Sequence, residues 1–219
     1  MLHRDYFMRQ MEQAIRLLQM AFGLINLRNY PEALNVIDGG FQQFFGFDSK
    51  FANAMPLEYL ISMMKQGGVL DADSCLLMAS LLKAEGDIYE ALGDDEGSYH
   101  RYLRSLHLRV EVFESQRPHS SPESWADVDE MVEKLAEFDL PTETQGRLLN
   151  YYDAVGQYAK AEDVLWEWLE ATEYVSDAVE RGIIFYQQLL TKSNAVLKAG
   201  KLPRAEVKAG LAELMAFKE

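Results

Sequence analysis

The sequence predicts an all-α protein, and three observations carry the prediction. Apolar residues recur at steps of three and four along most of the 219 residues, the period of a helix with one buried face. Helix-favouring Ala, Leu, Glu, Met and Gln are plentiful, while long β-branched runs are missing. The six prolines gather near expected helix starts. Hydrophobic residues make up 48% of the chain, enough for one substantial core or two small ones.

The first predicted helix runs from about Leu2 to Arg28, with Phe7, Met8, Met11, Ile15, Leu18, Phe22 and Ile25 along one face. A second starts at Pro31, carries Leu34, Ile37, Phe41, Phe44 and Phe45, and stops before Gly46. Residues 48–54 read as a connection, and Pro56 opens a short third helix closed by Gly67-Gly68. Asp71 or Asp73 caps the next helix, which carries Leu76, Leu77, Leu81, Leu82, Ile88 and Leu92 towards Gly93. Asp94, Asp95 and Glu96 then suit the N-terminus of a helix carrying Tyr99, Tyr102, Leu103, Leu106, Val110 and Phe113.

The clearest break is Arg117-Pro118-His119-Ser120-Ser121-Pro122, a polar, proline-bounded loop or hinge. After it, Ser121 or Ser124 starts a helix through Trp125, Val128, Met131, Val132, Leu135 and Phe138. Pro141 opens another with Leu148, Leu149, Tyr152 and Val155, ended by Gly156, and Tyr158 to Ala171 follows. A long helix is expected from about Val175 to Ala199, stopped by Gly200, and Pro203 begins a last one with Leu211, Leu214 and Phe217. About ten helices joined by short turns predict stacked antiparallel pairs. They divide into an N-terminal part (1–117), the loop or hinge (118–123) and a C-terminal part (124–219) of one continuous domain.

Three helix-turn-helix units share a local pattern. In the clearest, within 142–175, Leu148, Leu149 and Tyr152 lie on one helix, Gly156 makes the turn, and Tyr158, Ala161, Leu165 and Trp168 follow. Alanine lets two helices approach while the aromatic rings fill the wedge beside it. This pattern resembles the tetratricopeptide repeat. Leu17, Ala21, Leu24, Tyr30, Ala33 and Ile37 follow the same template without the turn glycine, and Leu82, Gly86, Tyr89 and Gly93 follow its first helix. The spacing between matches is not constant, so the likeness is to a degenerate array. The chain is also similar to an uncharacterised bacterial family of this type that opens on a segment like Tyr6-Phe7-Met8-Arg9-Gln10-Met11, a likeness that implies a fold and no activity.

The resemblance implies a right-handed superhelix in which the first helix of each pair lines a concave groove. On that template Lys83, Asp87, Glu90, Glu143, Asn150 and Asp153 face the groove. Four of these six are acidic, which implies a protein or peptide segment bearing Lys or Arg as the partner.

Several other functions are argued against by the residues themselves. The net charge of −14 disfavours nucleic acid and anionic membranes, both of which need Lys and Arg. Cys75, the single cysteine, allows no intrachain disulfide and reads as a buried, inert thiol. The charged opening Met1–Tyr6 is unlike a signal peptide, and the uncharged stretch Leu17–Leu27 is too short to span a membrane, so a cytoplasmic address is expected. His100 and His107 stand seven apart, too far for a single zinc ion without other ligands, and His3 and His119 lie elsewhere; no metal or cofactor is expected. No nucleophile elbow, phosphate loop or dinucleotide fingerprint occurs, so no catalysis is expected either. Gly39-Gly40 reads as a helix end or turn, and the pairs Asp127/Glu130 and Asp129/Glu133 read as a solvated face.

The first helix is rich in methionine. Met8, Met11 and Met20, with Phe7 and Phe22, suit an adaptable binding or dimer surface, although burial in the core is the favoured reading. The expected function is therefore a non-catalytic interaction module. A homodimer through terminal helices and a small-molecule-binding helical protein are the alternatives.

Overall fold

The computed structural model describes residues 2–115 and 126–217, and the side chains of residues 12–115 and 127–217. The all-α expectation holds: among the described residues there are twelve helices and one two-stranded hairpin. They fall into two compact units, Met1–Asp139 and Leu140–Glu219. The expected break at 118–123 lies outside the described residues.

The N-terminal unit contains α1 (Leu2–Asn26), α2 (Tyr30–Phe45), α3 (Ser49–Ala54), α4 (Leu57–Met63), β1 (Lys65–Gln66), β2 (Val69–Leu70), α5 (Ala72–Leu92), α6 (Asp95–Ser115) and α7 (Ala126–Lys134). The pairs α1/α2 and α5/α6 pack most closely, α2 lies against α5, and α7 lies against α6. Ala21, Ala33, Ile37, Phe41, Cys75, Met78, Leu81 and Leu82 make the centre of its core. Ala21 and Ala33 are fully buried where α1 meets α2.

Four expectations are corrected here. Residues 48–54 are not a connection: Asp48 accepts the Phe51 N–H at 2.8 Å and starts α3, a helix too short to show periodicity. Gly67-Gly68 does not close α4, which ends at Met63. It turns the hairpin that pairs Lys65 with Leu70 and Gln66 with Val69, and both glycines take the positive φ (59° and 85°) that a two-residue turn requires. Gly39-Gly40 lies inside α2, where a Cβ on Gly40 would stand 3.0 Å from Leu81 and 3.1 Å from Leu17. That glycine permits close helix approach rather than a turn. In α1, finally, Met20 and Phe22 are 54% and 64% exposed, so the favoured burial fails for both. The small residues Ala14 and Ala21 are the ones turned inward, which rotates the bulky neighbours outward. The side chains of Phe7, Met8 and Met11 lie outside those described.

The C-terminal unit contains α8 (Thr142–Val155), α9 (Tyr158–Ala171), α10 (Ser176–Thr191), α11 (Asn194–Ala199) and α12 (Arg204–Ala216). Here α8 packs on α9 and α10 on α12. The single helix expected over 175–199 is two: Lys192 is extended (ψ 157°) and the Ser193 hydroxyl accepts the Val196 N–H, capping α11. Leu148, Tyr152, Leu165, Leu169, Leu189, Val207 and Leu214 are buried at its centre. Tyr186, also fully buried, donates to Glu162 at 2.7 Å and accepts from the Trp166 indole at 3.1 Å, so its hydroxyl is satisfied.

Candidate partner-binding cleft

Lys83, Asp87 and Glu90 stand at steps of four and three on α5, one above another on a single face. Across from them Tyr102, on α6, places its hydroxyl 2.8 Å from Asp87 Oδ1 and 2.8 Å from Glu90 Oε2. The phenol has one proton, so the two carboxylates share it in turn. A third element completes the arrangement. From α7, Glu130 takes Lys83 Nζ at 3.0 Å, while Lys134 pairs with Glu90 and stands 3.5 Å from Asp87. Lys83 also reaches Asp87 at 2.9 Å.

Burial and the two adjacent carboxylates push the Tyr102 phenol well above its ordinary value, which keeps it a donor. Burial works against the Lys83 charge, but Asp87 and Glu130 outweigh it and hold the ammonium above the usual lysine range. Both shifts keep the proton on Tyr102 and the charge on Lys83, the donors that the carboxylates accept from.

Beside this network lies a cleft of about 610 Å³. Its walls carry five carboxylates, Glu90, Asp95, Glu130, Glu133 and Glu137, against one ammonium, Lys134. Tyr102 and Phe138 supply aromatic surface. Phe138 is held against α6 by the Tyr99 ring, 5.0 Å between centroids, and the Tyr99 hydroxyl donates to the Asp139 carbonyl at 3.4 Å. Asp95, Glu133 and Glu137 are exposed at the cleft's rim.

The full length of the chain, residues 1–219, matches the family model DUF6483, described as a family of unknown function. The chain belongs to DUF6483. No curated protein and no solved structure matches it. Membership of DUF6483 brings no activity with it.

The six groove residues divide three and three between the two units. In the N-terminal unit, Lys83, Asp87 and Glu90 share a face, but α7 lies across it and engages all three. In the C-terminal unit, Asn150 and Asp153 line a recess of about 190 Å³ with Leu149, Arg181, Ile184 and Phe185. Arg181 stands 5.5 Å from the Trp168 ring centroid there, so that recess already holds a cation of its own. Glu143 does not line it; it is exposed in the first turn of α8, where an acid complements the helix dipole.

The α7 carboxylates are not simply a solvated face. Asp127 pairs with Arg109, a side chain 5% exposed whose charge burial disfavours, and Glu130 pairs with Lys83. Helical spacing had shown that these acids share a face without showing what the face meets. A second polar cluster went unread in the sequence. Glu85, 2% exposed, accepts from Ser49 Oγ at 2.6 Å, Asn53 Nδ2 at 3.0 Å and Arg101 at 3.1 Å, tying α3 to α5 and α6.

Cys75 is buried, lies 3.6 Å from the Leu108 carbonyl, and has its thiol pushed up to about 12, chiefly by burial. It stays protonated at neutral pH. Among the described residues no three His, Cys, Asp or Glu are placed to share a metal ion, and no helix is long and apolar enough to cross a membrane.

Proposed function

We propose that this member of DUF6483 is a non-catalytic cytoplasmic interaction module that holds a Lys- or Arg-bearing segment of another protein in the cleft between α6 and α7. The observation that carries the reading is the cleft's lining of five carboxylates against one ammonium, next to aromatic surface. Such a surface suits the long apolar stem and charged head of Lys or Arg together.

Acidic residues are about equally dense in the two units, and the net charge differs because the N-terminal unit has fewer Lys and Arg for its length. Residues 1–139 carry 23 Asp and Glu against 12 Lys and Arg, a net −11, while residues 140–219 carry 12 against 9, a net −3. Within the N-terminal unit, Asp87 and Glu90 are engaged by Lys83 and Lys134, which leaves Asp95, Glu133 and Glu137 as the acids offered at the rim.

The same reading treats the helix pairs as degenerate tetratricopeptide-type repeats. Supporting it, Tyr89 and Gly93 repeat the spacing of Tyr152 and Gly156, and both glycines end their helices in the left-handed conformation (φ 74° and 79°). The binding surface differs from the expected groove, because α7 covers the α5 face and supplies its own wall.

The test is affinity capture from lysate with the whole chain as bait, at low and at moderate salt. The comparison is Asp95→Asn/Glu133→Gln/Glu137→Gln, which alters three exposed side chains. A dominant basic partner should be captured by the native chain, weakened by salt and lost with the variant. Equal capture by both chains would remove the cleft from the account.

A further inference from the structure

We propose that a cavity between α2, α4 and α5 is a binding site for a small organic cation, a single aromatic ring on a short chain that ends in an ammonium. The cavity has a volume of about 220 Å³ and shares no lining residue with the cleft between α6 and α7. Three elements make its walls. At the end of α2, Gly46 takes the left-handed conformation (φ 78°) and turns the chain, and Phe45 and Phe47 on either side of it stack with centroids 5.9 Å apart. Leu60 and Met63 of α4, with Met64 after them, form a second wall. At the start of α5, Asp71, Ser74 and Met78 form the third. The Asp71 N–H donates to the Met64 carbonyl at 2.8 Å and ties the second wall to the third.

This is a recess into the core rather than an open apolar face. Leu60, Met64 and Met78 are buried members of the core of the N-terminal unit, and of the lining residues only Met63 and Gln66 are exposed, at the mouth. Size limits the ligand. An apolar cavity of about 150 Å³ takes benzene, and pockets for drug-sized molecules begin at about 300 Å³, so this one suits one ring and a short chain. The phenylalanine rings offer that ring faces and edges to pack on. The three methionines, unbranched and with several rotatable bonds, adjust to its outline.

Asp71 sets the charge of the ligand, being the one ionisable group in the lining. It caps α5: Oδ1 accepts the Ser74 N–H at 3.2 Å and Oδ2 the Ser74 hydroxyl at 2.8 Å. That is one bond to each oxygen, whereas a carboxylate has about four acceptor sites, so capacity for a further donor is left. No Lys or Arg in the lining neutralises it. Its field reaches its neighbours: after burial, the Asp71 charge is what raises the Asp73 carboxyl. An ammonium in the cavity would pair with Asp71 and lie near the faces of the phenylalanine rings. A carboxylate ligand would meet a like charge in the same place.

The probe is phenethylammonium, titrated into the whole chain at neutral pH by calorimetry and followed by NMR of methyl-labelled methionine. It should bind saturably, with a Kd below about 1 mM. Of the ten methionines, Met63, Met64 and Met78 should shift, their signals assigned through Met63→Leu, Met64→Leu and Met78→Leu. Phenethyl alcohol, of the same size without the charge, should bind about tenfold more weakly, and hydrocinnamate, a carboxylate, should not bind. Asp71→Asn keeps a side-chain oxygen to cap α5, so the fold is retained, and it should bind the ammonium and the alcohol equally. No saturable binding of the ammonium, a titration that leaves these three methyl signals unmoved, an alcohol or carboxylate that binds the native chain as tightly, or an ammonium preference that survives Asp71→Asn would each overturn the proposal.

Discussion

Glu85 shows how a single buried charge is made tolerable. Its carboxylate is out of water, and a desolvated ion is stable only when paired and hydrogen-bonded. Ser49, Asn53 and Arg101 supply the donors, and the Arg101 guanidinium is itself stacked 3.8 Å over the Tyr89 ring. The cluster ties α3, of only six residues, to the closely packed pair α5/α6. Glu85→Ala would leave Arg101 largely buried without its anion, a loss of about 3–5 kcal/mol for a broken buried pair. Glu85→Gln keeps an acceptor oxygen for Ser49 and should cost less. Urea denaturation of the three proteins measures both, and an unchanged midpoint for the alanine variant would contradict this account of the cluster.

At the scale of elements, legibility followed how local each signal is. Proline and glycine act on their own backbone, so Pro141 and Gly156 placed α8, and Tyr158–Ala171 was read at its observed bounds. The break between α10 and α11 has neither residue. It rests on the Ser193 hydroxyl, while the apolar period runs on through it from Leu189 to Leu197. Two strands of two residues each are too short for alternation to be seen. At the candidate site, the spacing of Lys83, Asp87 and Glu90 revealed a shared face. That α7 brings Lys134 onto Glu90, 44 residues away in sequence, has no local signature. Gly200 carries the same lesson. It reads as a helix stop, but its φ of −79° suits any residue. What it provides is space: a Cβ there would lie 2.2 Å from the Tyr158 ring and 2.6 Å from the Gly156 carbonyl oxygen. Gly200→Ala should cost about 1–3 kcal/mol by overpacking. In the control Gly23→Ala, inside α1, the new methyl meets nothing within 4 Å, and a gain of about 0.5–1 kcal/mol is expected. Thermal unfolding of both separates crowding from backbone entropy; equal melting temperatures for the Gly200 variant and the native chain would count against it.

For the molecule as a whole, the division into two units sets what can fold alone. The C-terminal unit, Leu140–Glu219, draws its buried centre from its own helices: Leu148 and Tyr152 of α8, Leu165 of α9, Tyr186 of α10 and Leu214 of α12. Its chain-joining contact, the Ala159 N–H donated to the Gly200 carbonyl at 3.0 Å, also begins and ends within it. A unit of this size buries only about 60–65% of the surface its unfolded chain exposes, so its stability should be modest. Residues 140–219 produced alone should nonetheless be helical by circular dichroism and should melt in one cooperative transition. A sharper expectation follows from the position of the Gly200 contact. Both groups it would strike, Tyr158 and Gly156, belong to this unit, so Gly200→Ala should lower stability by the same amount in the fragment as in the whole chain. A fragment that melts without a cooperative transition would show that the unit needs the rest of the chain. A cooperative fragment in which the substitution costs markedly more or less would locate part of its effect outside residues 140–219.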